Sequence, residues 1–165
     1  RGLGGNDLIS AGAGNDFVNG NKGSDSIYGE DGADFLLGGA DTDFVTGGRE
    51  NDWVNGNKGN DEIRGGAGDD VVRGGANDDI IYGGVGNDQV LGDKGNDQLI
   101  GGAGIDTFHF TEGFNVIQDF EVGVDVFELG NATNLSWQQA ENGALASYDG
   151  GSMLFSGVDT TALGI

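Results

Sequence analysis

A nine-residue frame set at Gly2 runs without insertion or deletion to His109, and it constrains the fold more than any other feature of the chain. The sixth position is Asp in every unit: Asp7, Asp16, Asp25, Asp34, Asp43, Asp52, Asp61, Asp70, Asp79, Asp88, Asp97 and Asp106. The eighth is apolar in every unit, from Ile9 and Val18 through to Leu99 and Phe108. The first is Gly except at Ala11, and the fourth is Gly except at Asp41, Glu50 and Asn77. A second period of four units lies over the first: Asn21-Lys22-Gly23, Asn57-Lys58-Gly59 and Asp93-Lys94-Gly95 occupy equivalent places.

The physical reading of one unit is a turn followed by a short strand. Glycines at alternate positions permit the positive φ of tight turns and leave carbonyl oxygens unshielded beside a fixed Asp. Positions seven to nine, with a buried apolar centre, predict a three-residue strand whose outer two residues face solvent. Two units make one coil, with strands on opposite faces and loops stacking along each edge at roughly 4.8 Å. One edge then carries Asp16, Asp34, Asp52, Asp70, Asp88 and Asp106. The other carries Asp7, Asp25, Asp43, Asp61, Asp79 and Asp97. Bare carboxylates at that spacing repel. A cation between each adjacent pair converts repulsion into coordination, and hard oxygen ligands favour Ca²⁺.

Composition supports a cation partner. The 165 residues hold 36 Gly, no Pro and no Cys, with 28 Asp and Glu against 7 Lys and Arg, a formal charge of −21. Disulfides are excluded. The charge argues against nucleic acid and against an anionic membrane surface. No apolar run approaches the length of a membrane span. Such abundant Gly and charge would read as disorder without the period. No H-E-x-x-H, G-x-S-x-G or phosphate-loop pattern is present, and His109 is the single His, so no catalytic function is expected. Paired carboxylates could in principle serve a glycosidase, but regular spacing favours the ligand reading. Arg1-Gly2-Leu3-Gly4-Gly5 reads as the inside of a repeat, so further sequence is expected upstream.

Units such as Gly65-Gly66-Ala67-Gly68-Asp69-Asp70-Val71-Val72-Arg73 and Gly101-Gly102-Ala103-Gly104-Ile105-Asp106-Thr107-Phe108 resemble the repeats-in-toxin (RTX), or haemolysin-type, calcium-binding nonapeptide. The resemblance implies an all-β fold: a parallel β-roll, that is, a right-handed β-solenoid with two nonapeptides per coil, and a small C-terminal β cap. The roll would occupy residues 1–109 and the cap 110–165. It also implies a ligand set. One ion takes carbonyls of positions two and four plus Asp six from one loop. It takes carbonyls of positions one and three plus Asp six from the loop two units on. Carried over, Gly12, Gly14 and Asp16 would act with Gly29, Asp31 and Asp34. Gly66, Gly68 and Asp70 would act with Gly83, Val85 and Asp88. Gly84, Gly86 and Asp88 would act with Gly101, Ala103 and Asp106. The expectation is about 8–10 Ca²⁺ ions.

A core of one inward apolar residue in nine is thin, so the ion-free chain is expected to be largely unfolded and to fold as ions bind. The resemblance implies a module of a secreted or cell-surface protein, exported by a type I apparatus of a Gram-negative bacterium and folding in extracellular Ca²⁺. An alternative is an adhesive, surface-layer or glycan-binding module. For that reading, position seven supplies an outward row of Phe17, Phe35, Trp53 and Val71. Stacking along the ladder would explain the same row.

After His109 the nonapeptide stops. Residues 115–120 and 124–129 read as strands, and 144–148 with 152–155 as a hairpin. Together they would cap the last coil. The resemblance places an export signal in the tail that runs from Val158 to Ile165. Asp119 and Asp125 could bind one more ion but read first as ordinary surface acids, and His109 reads as an outward strand residue. Glu50 is expected to distort its loop or weaken its site, unless its carboxylate, like that of Asp41, joins the ligands.

Overall fold

In the computed structural model of the chain, the described residues are 2–109, 111–128, 130 and 133–164. Arg1, Leu129 and Ile165, which entered the readings above, lie outside them.

Among the described residues there are only strands and turns. The repeat builds Leu8–Ala13 (β1), Phe17–Lys22 (β2), Ser26–Asp31 (β3), Phe35–Ala40 (β4), Phe44–Arg49 (β5), Trp53–Lys58 (β6), Glu62–Ala67 (β7), Val71–Ala76 (β8), Ile80–Val85 (β9), Gln89–Lys94 (β10), Gln98–Ala103 (β11) and Thr107–His109 (β12). Beyond it lie Gly113–Ile117 (β13), Val126–Glu128 (β14), Ser136–Ala140 (β15), Gly143–Tyr148 (β16) and Gly151–Ser156 (β17).

The coils close as the period requires. Odd strands form one parallel ladder and even strands the other, each residue pairing with its equivalent two units on, as in Ile9↔Ile27 and Val18↔Leu36. This is a parallel β-roll. The strands are longer than the three residues expected. They run from position seven through position three of the next unit, because those backbone groups also find ladder partners, such as Gly12↔Glu30 and Ala13↔Asp31. Two positions therefore face inward, the apolar eighth and the glycine at the first, as in Val54 and Gly56 of β6.

The core is a file of aliphatic side chains, Val18, Ile27, Leu36, Val45, Val54, Ile63, Val72, Ile81, Val90 and Leu99, ending on Phe108. It widens there into a ring cluster. Phe120 meets Phe108, Phe127 and Phe155 at 5.0–6.0 Å between centroids, and Trp137 packs on Phe127 and Phe155.

The ladder does not stop at His109. β13 pairs in register with β11, and β14 with β12. Gly113, Asn115 and Ile117 thus hold positions four, six and eight of a thirteenth unit. The fourteenth, ending on β14, carries one inserted residue. The cap is a continuation of the odd sheet: β17 pairs parallel with β13, and β16 and β15 follow antiparallel.

Candidate metal centre

The sixth-position aspartates sit where each loop enters its strand, and they form the two rows the spacing predicts. From Asp25 on, each Asp Oδ1 accepts a hydrogen bond from the backbone N–H of the Asp one coil below: Asp25 from Asp7, Asp34 from Asp16, Asp79 from Asp61 and Asp88 from Asp70, all at 2.7–2.8 Å. From Asp25 to Asp106 these residues are at most 4% exposed. Asp7 and Asp16 are half-buried because no coil covers them from below.

The second oxygen has no such partner. Oδ2 of Asp25, Asp34, Asp43, Asp52, Asp61, Asp70, Asp79, Asp88 and Asp97 is buried without a hydrogen bond among the described residues. A buried carboxylate oxygen left unpaired is costly unless a cation meets it. Burial accordingly pushes most of the carboxyl groups from Asp43 onward up, only partly offset by the donated backbone N–H and reinforced for most by the neighbouring carboxylates. Asp79 reaches about 8, Asp43 and Asp70 about 7, and Asp52, Asp61, Asp88 and Asp97 about 6. Asp34 and Asp106 are raised for the same reason.

The space around each Oδ2 is lined by oxygen. A side-chain carbon on Gly83 would lie 2.6 Å from both Asp88 Oδ2 and the Gly101 carbonyl oxygen. On Gly38 it would lie 2.6 Å from Asp43 Oδ2 and 2.7 Å from the Gly56 carbonyl. Only glycine keeps this cradle open, which explains position one without any need for positive φ.

Carbonyl directions alternate around each loop. At position one, Gly83 and Gly101 turn their oxygens toward the coil below, at Gly65 and Gly83 respectively. At position three, Asp31, Val85 and Ala103 also point down, accepting from the position-four N–H groups of Gly14, Gly68 and Gly86 at 2.7–2.9 Å. Positions two and four point up: the Gly66, Gly68, Gly84 and Gly86 carbonyls press against Gly84, Gly86, Gly102 and Gly104 of the next coil, and Gly14 against Gly32. Gly12 pairs with Glu30 in the ladder, and Gly29 holds position one above Ala11. The same-edge gaps so described are therefore entered by carbonyls from both sides and by Asp side chains from both loops. No cluster of three or more His, Cys, Asp and Glu exists among the described residues, so any ion there must rely on carbonyls. This donor set fits a hard divalent cation of high coordination number.

The three irregular loops keep this architecture. Asp41, Glu50 and Asn77 adopt φ of 79°, 68° and 84° in place of glycine, and the strands on either side hold register. Glu50 Oε2 accepts from Gly32 N at 2.9 Å and Asp41 Oδ2 from Gly23 N at 3.1 Å. Each carboxylate thus bonds the position-four N–H of the loop below, and the expected distortion at Glu50 is absent.

The row of Phe17, Phe35, Trp53 and Val71 lies in register on the outer face of the even sheet. Phe35 and Trp53 stack at 4.2 Å with 3° between planes, and Phe17 stacks on Phe35 at 5.3 Å. The rings turn their faces to one another along the ladder. On the opposite sheet Arg64 lies between Phe44 and Tyr82, 5.6 and 5.0 Å from the ring centres.

Sequence reasoning missed two members of the Asp rows. Asn115 Oδ1 accepts from Asp97 N at 3.0 Å and Asp125 Oδ1 from Asp106 N at 3.1 Å, so each row runs one step past the repeat. The signal for Asn115 was present in the frame itself, at Gly113, Asn115 and Ile117. The inserted residue hid Asp125.

The family model for the RTX calcium-binding nonapeptide repeat, in four copies, matches overlapping stretches from residues 1–27 through 46–81 to 82–117. No curated protein matches the chain.

Proposed function

Starting from the premise that the chain belongs to the RTX calcium-binding nonapeptide repeat family, we propose that its roll folds around calcium and that calcium supply decides when it folds. The observation carrying this reading is the file of buried Asp Oδ2 atoms without partners. In each gap the lower loop gives carbonyls two and four and its Asp. The upper loop gives carbonyls one and three and its Asp. Gly12, Gly14 and Asp16 with Gly29, Asp31 and Asp34 form one such set. Gly66, Gly68 and Asp70 with Gly83, Val85 and Asp88 form another, and Gly84, Gly86 and Asp88 with Gly101, Ala103 and Asp106 a third. Bound Ca²⁺ supplies the positive charge that the aligned carboxylates lack.

The biological reading follows from mass action. An ion that binds only the folded form drives folding where it is abundant. The chain stays extended where Ca²⁺ is scarce, passes through an export channel of the type I kind, and folds outside the cell, where the rigid roll stabilises the larger secreted protein. This is a binding and folding role, with no reaction assigned to the module. The test is export of the chain fused to a reporter, with and without Asp→Asn changes along one row. Unchanged secretion and unchanged folding of the exported product would contradict the reading.

A further inference from the structure

We propose that the gap between the loops of Asp97 and Asn115 is a further divalent-cation site, beyond the twelve regular repeats, and that it fastens the cap to the roll. The proposal rests on the calcium reading above. Asp97 is 1% exposed and its Oδ2 has no partner among the described residues. That atom lies over Gly92, where a side-chain carbon would come within 2.9 Å of Asp97 Cγ. The lower loop aims its carbonyls upward as in the regular gaps: Asp93 O accepts from Glu112 N at 2.8 Å, and the Gly95 carbonyl presses on Gly113. From above, the fully buried Asn115 points Oδ1 into the gap. Its amide orientation is set by Nδ2 donating to Thr111 Oγ1 at 3.0 Å.

The equivalent gap on the other edge is built differently. Asp125 Oδ2 already accepts from Glu121 N at 2.8 Å, and Asp119 accepts from Gly101 N and Gly102 N at 3.0 and 2.9 Å. Backbone donors hold the upper-loop carboxylates there, and Asp106 Oδ2 is not among the buried unpaired oxygens of the described residues. The two edges therefore end in different chemistry, one closed by N–H groups and one by a cation.

Asn115 brings an oxygen without a charge, so this site has one carboxylate where regular gaps have two. Fewer charged ligands mean weaker binding, and this ion is the last to enter. It also reads out on the cap. The Tyr148 hydroxyl of β16 donates to the Thr111 carbonyl and meets the Asn115 side chain. An ion that orders the Asn115 loop thereby presents the surface on which β16 and β17 dock.

The experiment compares the full chain with Asn115→Leu and Asn115→Asp, counting bound Ca²⁺ by native mass spectrometry and following hydrogen exchange in β16 and β17. Asn115→Leu should bind one ion fewer and lose cap protection, while the roll up to β9 stays protected. Asn115→Asp should keep the full count and bind the weakest ion roughly tenfold tighter. An unchanged count in Asn115→Leu, or an unchanged weakest affinity in Asn115→Asp, overturns the proposal even if Asn115→Leu folds poorly. Failure of the unmodified chain to bind Ca²⁺ at all would instead sink the calcium reading, and this site with it.

Discussion

Between β2 and β11 the interior is a single file of aliphatic side chains flanked by two rows of carboxylates. Beyond β12 it is a cluster of rings: Phe108, Phe120, Phe127, Trp137 and Phe155. The roll buries unpaired anionic oxygen, nine atoms among the described residues, all on repeat aspartates. The acids at the cap end, Asp119 and Asp125, are held by backbone N–H groups. The two regions are thus stabilised by different means. On the calcium reading proposed above, the roll depends on a cation that it does not itself provide, while the cap depends on burial of apolar area. A repeat with one inward apolar residue per unit cannot do what a ring cluster can.

The comparison breaks first, and furthest, at Phe155. It is fully buried among three other rings, so Phe155→Ala should cost about 3–5 kcal/mol of cap stability. Denaturant unfolding at saturating Ca²⁺ should show that loss while the ion count of the roll is unchanged. Asp61→Asn is the counterpart in the roll. It keeps an acceptor for Asp43 N but removes a charge from two gaps, and should raise the Ca²⁺ midpoint of folding roughly tenfold or more. Gly83→Ala adds one methyl to the cradle at Asp88 and Gly101 and should cost about 1–3 kcal/mol, seen as a lost or weakened ion without change of net charge.

A pH series sharpens the contrast by sign. Folding raises the carboxyls of Asp43, Asp52, Asp61, Asp70, Asp79, Asp88 and Asp97 to about 6–8, above the ordinary unfolded Asp value of about 4. In chelator their contribution to stability is complete below the unfolded value and is lost as pH rises through about 6–8. Circular dichroism should therefore show more β structure at about pH 3 than at pH 8 without Ca²⁺. With Ca²⁺ the order reverses, because the ion binds ionised carboxyls; the unfolded chain is already ionised at neutral pH, so uptake should release protons only as the pH falls toward about 4. The smallest expected effect is Trp53→Leu on the outer face. Losing its stack on Phe35 should cost about 0.5–1.5 kcal/mol and leave ion binding intact.

Most of the roll was legible in the sequence because a strict period of nine leaves one register that keeps the eighth-position apolar residues inside. The Asp rows followed from that register. The strand length did not, since the pairing of positions one to three depends on backbone groups that no side-chain pattern marks. Asn115 escaped because its unit lacks the usual Asp, and Asp125 because one inserted residue breaks the frame. In the cap, β15 escaped because Ser136-Trp137-Gln138-Gln139-Ala140 carries no alternating apolar face, and the β13–β17 pairing joins segments distant in sequence. The aromatic row was visible as a row. That its rings stack on one another depended on strand spacing and rotamers, which only the structure supplies.

The most direct measurement is a Ca²⁺ titration of chelator-treated chain at neutral pH, following far-ultraviolet circular dichroism and ion stoichiometry together. The account predicts a cooperative coil-to-β transition with about ten or eleven ions bound. A chain that is already β-rich without calcium at neutral pH, taking up only one or two ions, would contradict it.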